Sequence, residues 1–176
     1  MTIIWRLFLI IIFAPLIITA WWVFFMGGPW APSRKKDFSR IIKILAPKPN
    51  YLIYELGCGD GRFCAALARD REVRVVGFEI SLLPYIVAKT RIWLSGLGKK
   101  VKIKYKNFYA QDLSEADAIF CYLTPWGLLK LKPKLEKELR PGVKIVSYAY
   151  TIELWQPNLR DRPTEKEVPI YLYIKK

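Results

Sequence analysis

Histidine is absent from the sequence. Its absence excludes Ser-His-Asp and Cys-His nucleophilic catalysis, and it excludes histidine-held metal sites. Cysteine is scarce: Cys58, Cys64 and Cys121 are the only three, and no two have C-x-x-C spacing. Neither a zinc cluster nor a disulfide framework is suggested. Cys58 falls inside a glycine-rich turn and reads as a small filler rather than a nucleophile. Acidic residues are the third shortage, 15 Asp and Glu against 29 Lys and Arg, for a net charge of +14. Such a surface favours anionic partners: lipid headgroups, nucleic acid or acidic protein. No internal repeat is visible.

What is present starts with one stretch, Tyr51 to Arg69, YLIYELGCGDGRFCAALAR. A short apolar run suited to a buried strand leads to Glu55 and then to Gly57, Gly59 and Gly61. A helical pattern follows at once, with Phe63, Ala66 and Leu67 on one face. Strand, glycine turn and helix together form the opening unit of a nucleotide-binding α/β domain. Gly57 and Gly59 can take positive φ, and their missing Cβ lets a ligand lie against the backbone. The helix beginning near Gly61 points free N–H groups at the turn. The spacing is G-x-G-x-G, whereas a dinucleotide fingerprint reads G-x-G-x-x-G. Arg62 stands where that pattern needs its last glycine. Further on, Val73 to Phe78 reads as a second buried strand ending at Glu79. A carboxylate at that place accepts hydrogen bonds from ribose hydroxyls, which supports a nucleoside ligand without naming it.

The rest of the chain alternates between the two periodicities. Asp37–Leu45 has a helical apolar face. Ser81–Ser95 reads as the helix after strand 2, stopped by Gly96 and Gly98. Val101–Tyr105 alternates apolar residues with lysine, as an edge strand would. Ala118–Leu123 is a fourth strand, Gly127–Leu139 a helix, and Val143–Ser147 a fifth strand. Ile152–Trp155 and Ile170–Ile174 suit a terminal antiparallel pair. Strands alternating with helices imply an α/β fold, a doubly wound and mostly parallel sheet.

The 176 residues suit one domain with a full core plus an appendage, and the apolar excess lies at the N-terminus. Leu7 to Met26 is twenty residues without a charge, long enough as a helix of about 30 Å to cross a bilayer. Pro15 can kink such a helix without forbidding it. Trp21, Trp22 and Trp30 fall near one end, where indoles favour the headgroup layer. Only Arg6 precedes the run, while Arg34, Lys35, Lys36, Arg40 and Lys43 follow it, which places the following domain on the cytoplasmic side. A cleaved signal peptide is the rival. Its apolar core is usually about 7–15 residues and ends at small residues, whereas this run is longer and ends in Trp and Phe. The expectation is a single-pass anchor and linker over 1–32, with the domain over 33–176.

The run Glu55-Leu-Gly-Cys-Gly-Asp-Gly61 resembles motif I of the class I S-adenosylmethionine-dependent methyltransferases, a Rossmann-like family with a seven-stranded type of sheet. More closely, residues 33 to 160 resemble the small membrane-anchored protein-lysine methyltransferases that modify the ATP synthase c subunit and the adenine nucleotide translocase, with their prokaryotic relatives. The similarity lies in Gly59-Asp-Gly-Arg62, Gly77-Phe-Glu-Ile80 followed by Pro84, Leu131-x-Pro133-x-Leu135, Leu139-x-Pro141-Gly142 and Val146-Ser147. Ser81 stands where that family tends to have Asn.

The resemblance implies S-adenosyl-L-methionine as cofactor. Its methionine end would lie on Glu55, Gly57, Cys58, Gly59 and Gly61, its ribose on Glu79 and Ile80. Asn107 and Phe108, after strand 3, would flank the adenine. Tyr122-Leu-Thr-Pro-Trp126 occupies the place that lines the methyl-acceptor pocket, so Tyr122, Thr124 and Trp126 are the pocket candidates, Tyr122 also touching the cofactor. Enzymes of this class that act on base amines often carry Asn or Asp, two prolines and an aromatic there. Only Thr124-Pro125-Trp126 is present, which weakens base methylation, and the resemblance itself implies a protein lysine as acceptor, with nucleic acid, a lipid or a small amine as the alternatives. A cofactor-binding module without turnover is the reading from another class.

Overall fold

The computed structural model describes residues 3, 5–14, 17, 32–69 and 71–176. Within them a seven-stranded sheet carries helices on both faces. The strands are β1 (Leu52–Leu56), β2 (Arg74–Glu79), β3 (Val101–Tyr105), β4 (Ala118–Cys121), β5 (Lys144–Tyr148), β6 (Leu159–Asp161) and β7 (Ile170–Ile174). The helices of the domain are α1 (Phe38–Leu45), α2 (Arg62–Arg69), α3 (Leu82–Leu94) and α4 (Pro125–Glu138). Spatial order is β3-β2-β1-β4-β5-β7-β6. The first five strands are parallel, and β7 runs antiparallel between β5 and β6. The order reverses between β1 and β4, which opens a crevice beyond their carboxyl ends.

Parallel neighbours need long crossovers, and the helices supply them. α1, α2 and α3 bury Phe38, Ile41, Leu45, Phe63, Leu67, Ala88 and Ile92 on one face of the sheet. α4 buries Leu128, Leu131 and Leu135 on the other. β1 and β4 are therefore covered on both sides, which is why LIYEL and AIFC read as continuous apolar runs. β3 is the edge strand that its alternation implies, with Val101 and Ile103 buried and Lys102 and Lys104 exposed.

One strand departs from expectation. Ile152–Trp155 is not a strand: Leu154 takes φ +63° and the chain turns there. Its apolar residues pack instead of pairing. Ile152 is buried, its N–H donates to the Tyr173 hydroxyl, and the Trp155 ring lies 5.9 Å from that of Tyr173. The strand beside β7 is β6, whose Leu-Arg-Asp sequence faces solvent and carries no apolar period.

The expected span Leu7–Met26 and its linker lie largely outside the described residues. Residues 7–14 and 17 are helical and mostly exposed. Among the described residues no helix is long and apolar enough to cross a membrane.

Candidate functional site

β1 delivers Glu55 to the carboxyl edge of the sheet, and the chain then turns through Gly57, Gly59 and Gly61 at φ +78°, +54° and +69°. Side chains other than glycine are strained there. The turn is held by the N–H groups of Gly57 and Cys58, which donate to the Phe78 carbonyl at 3.0 and 2.9 Å. Glu79 braces it from β2, accepting from the N–H of Gly59 at 2.8 Å and from those of Ile80 and Ser81 at 2.9 and 2.8 Å.

Asp60, buried between two of the glycines, locks the turn to the helices. Its carboxylate meets the guanidinium groups of Arg62 at 2.7 Å and Arg91 at 2.8 Å, and Arg91 also donates to the Asp60 carbonyl. Burial works to raise the Asp60 carboxyl, and the Arg62 and Arg91 contacts outweigh it and hold it below the usual range. Gly61 serves packing: a Cβ there would lie 3.0 Å from the Cβ of Ala88 on α3.

A cleft opens above the turn, lined by Pro32, Ser33, Glu55, Gly57, Cys58, Gly59, Asp60, Arg62, Phe120 and Tyr122. Five residues singled out by the sequence thus meet in one place: Glu55, Gly57, Cys58, Gly59 and Tyr122. That Pro32 and Ser33 line the cleft was not legible in the sequence. They are tied down by a cluster that brings distant residues together. The buried Asp37 accepts from the Tyr148 hydroxyl at 2.6 Å, from Arg34 at 2.8 Å and from Arg40 at 3.0 Å. Burial raises the Tyr148 phenol to about 12, with the Asp37 bond adding to it, so the hydroxyl stays a donor. Tyr122 packs edge-on against Tyr148 at 4.9 Å.

Glu55 is the unusual group. It is buried, and its one side-chain partner among the described residues is the Cys64 thiol, which donates to Oε2 at 2.8 Å. Burial lifts its pKa to about 8, the Cys64 bonds oppose the rise, and the charges of Asp60 and Glu79 reinforce it. A carboxyl so poorly compensated, beside a cleft floored by glycine backbone, fits an incoming cation. The backbone also leaves room, since a Cβ on Gly57 would meet nothing nearer than Leu123 at 3.7 Å.

The other candidates stand apart from the cleft. Asn107 caps the short helical turn Phe108–Ala110, its side chain accepting from the Tyr109 N–H at 3.0 Å, and the Phe108 ring lies against Tyr109 at 4.2 Å. Thr124 is the N-cap of α4, where Oγ1 accepts from the Gly127 N–H at 3.2 Å. Trp126 is 58% exposed, with Lys130 over its ring at 5.8 Å.

A family model described as the ANTKMT methyltransferase domain matches residues 55–159, from the buried carboxylate to the last hairpin. The chain belongs to this methyltransferase family. It is 34% identical over 149 residues to a protein-lysine N-methyltransferase of Saccharolobus islandicus, covering 83% of this chain and 92% of that protein. It is 26% identical over 131 residues to the adenine nucleotide translocase lysine N-methyltransferase of Mus musculus, covering 73% of this chain and 56% of that protein. The methyltransferase thus spans little more than half the length of its mouse relative. Among solved structures, an RNA methyltransferase from Salinibacter ruber in complex with S-adenosyl-L-homocysteine superposes with a TM-score of 0.78 and 27% identity. That match covers 82% of this chain and 93% of the other. The methyltransferase fold is the Rossmann-like class I fold with a mixed seven-stranded sheet, and S-adenosylmethionine is its cofactor.

Proposed function

We propose that the chain is a protein-lysine N-methyltransferase that works at a membrane surface, with Leu7–Met26 as its anchor and the domain 33–176 on the cytoplasmic side. The observation that carries the acceptor is kinship over nearly the full length with a protein-lysine N-methyltransferase. The anchor rests on the twenty uncharged residues and the basic flank after them.

S-adenosylmethionine, when bound, supplies an electrophilic methyl group on a positively charged sulfur. In this reading Glu55 receives the ammonium of its amino-acid end, over Gly57, Cys58 and Gly59. Glu79 accepts the ribose hydroxyls with the Ile80 backbone beside it, and Asn107 and Phe108 flank the base. Gly61 holds the turn to α3. Tyr122, Thr124 and Trp126 border the acceptor's approach.

The chain's part in transfer is alignment and desolvation, because in-line displacement gains most from orientation. Free lysine has a pKa near 10.4, so deprotonation at neutral pH costs about 5 kcal/mol. Desolvation in the cleft beside Ser33 and Tyr122 lowers that pKa. The basic surface repels a lysine ammonium at long range and so favours the neutral amine. Burial raises the Tyr122 phenol, so it enters as a hydrogen-bonding group rather than a base.

RNA is the second reading, favoured by the net charge of +14 and by the Salinibacter ruber RNA methyltransferase neighbour. Labelled S-adenosylmethionine, added with the full chain to a membrane lysate, separates the two. Label recovered as methyl-lysine after acid hydrolysis supports the proposal. Label confined to RNase-sensitive or chloroform-soluble material refutes it, and no transfer despite measured cofactor binding leaves a binding module. The anchor is tested by carbonate extraction: a pelleting chain with its original N-terminus is expected, and a mature protein that has lost the segment overturns it.

A further inference from the structure

α3 presents to solvent a face that a soluble helix would bury. Leu82, Leu83, Ile86, Val87, Trp93 and Leu94 are each 47% to 77% exposed. Their spacing puts them in one stripe along the helix, opposite Ala88 and Ile92, which face the core. A contiguous apolar strip of this kind marks an interaction surface.

The surroundings identify the partner. Residues 80–111 contain no Asp or Glu. Five lysines lie between Lys99 and Lys106, and with Lys89 and Arg91 on the helix they make seven basic residues, half of the net +14. Arg91 is committed to Asp60, which leaves six lysines. Trp93, Lys89, Lys102 and Lys104 line an open groove between α3 and the edge strand β3. Aliphatic residues about half or more exposed, an indole at the rim and lysines around them match the layers of an anionic bilayer: acyl chains, interface and headgroups. RNA phosphates would use the lysines and leave the leucines and Val87 in water. A second copy would press two acid-free basic patches together.

The position of the stripe agrees. Leu82 begins three residues after Glu79, at the carboxyl edge of the sheet, so the strip starts beside the cleft and runs away from it. Pro32, which lines that cleft, lies six residues from Met26, within about 20 Å of extended chain. A span ending at Met26 would therefore hold the domain, strip included, within a short tether of the bilayer.

We infer that the α3 face, with its lysine border, is a docking surface for anionic lipid that lays the domain on the bilayer with the cleft at its edge. This rests on the membrane reading above, and the experiment separates the two. The three native cysteines are buried, so a thiol-reactive dye on Leu94→Cys reports one position. Lys137→Cys, exposed on α4 across the sheet, is the control. Full-length chain is reconstituted in phosphatidylcholine vesicles with and without phosphatidylglycerol, and quenching by aqueous iodide is measured.

The expected result is a blue shift and a roughly threefold or greater loss of quenching at position 94 in the anionic vesicles, with position 137 unchanged. Combining Lys99→Glu, Lys100→Glu, Lys102→Glu and Lys104→Glu should restore quenching. Equal quenching in both vesicles overturns the proposal. So does shielding already complete in phosphatidylcholine, which would place the N-terminal segment or a second copy on the face. Shielding by added RNA but not by anionic vesicles assigns the face to nucleic acid and overturns it too. Carbonate extraction reads the anchor independently, and a carbonate-soluble chain that still shields position 94 on anionic vesicles supports the face without the anchor.

Discussion

Cofactor binding should be coupled to the loss of one proton, and Glu55 is the reason. In the unliganded fold its pKa is raised from 4.5 to about 8. Holding it ionised above that range costs roughly 5 kcal/mol relative to water. A group raised in this way stabilises the free fold fully below its unfolded pKa, and that contribution is lost as pH rises through about 8. The cofactor's ammonium demands the opposite state, a carboxylate. The ionised fraction is about one tenth at pH 7 and about one hundredth at pH 6, so affinity for S-adenosylhomocysteine should rise roughly tenfold per pH unit across that window. The rise levels off as Glu55 becomes mostly ionised near pH 8, which sets the upper limit of the window at about 7.5. Calorimetry at about pH 6.5, in two buffers of different ionisation enthalpy, should count close to one proton released per site. Glu55→Gln should bind more weakly at about pH 7.5 and lose both the slope and the proton. Affinity that is flat from about pH 6 to 7.5 with no proton release would refute the assignment of Glu55 to the ammonium.

Three further outcomes follow from the same geometry. A Cβ at Gly77 would lie 2.8 Å from the sulfurs of both Cys58 and Cys64, so Gly77→Ala should cost about 1–3 kcal/mol in urea unfolding; an unchanged midpoint contradicts this packing. Tyr148→Phe removes a donor from the buried Asp37 and should cost about 1–3 kcal/mol, with a weaker grip on S-adenosylhomocysteine because the Pro32–Ser33 lining of the cleft loosens. Full cofactor affinity in that variant would detach that lining from the site. Glu79→Gln should weaken S-adenosylhomocysteine by about 1.5–3 kcal/mol, through the lost ribose acceptor and the loosened turn alike; unchanged affinity would remove Glu79 from the ribose.

The sequence was most legible where chemistry is local. Glu55, the three glycines and α2 lie within fifteen residues, and their spacing separates this turn from a dinucleotide fingerprint. Glu79 follows from its place at the end of the second apolar run, 20 residues past Gly59, and β3 from its alternation of apolar residues and lysine. What could not be read depends on contacts made by topology. Tyr148 and Asp37 are 111 residues apart, and nothing in either neighbourhood signals that one donates to the other. Asp60 looks like a turn residue, and its second partner, Arg91, arrives only when α3 packs beside the turn. The last hairpin misled because burial of Ile152 produces the same apolar signal as a strand, while β6 pairs through its backbone and needs no apolar side chain.

Methyl transfer to a lysine side chain is read out by amino-acid analysis of the labelled acceptor. Purified full-length chain in anionic vesicles, given labelled S-adenosylmethionine and the membrane proteins of its own lysate, is expected to place the label in ε-N-methyllysine. Glu79→Gln should lose that label. Label in another amino acid, or in RNA or lipid with none in lysine, would rule out lysine as the acceptor.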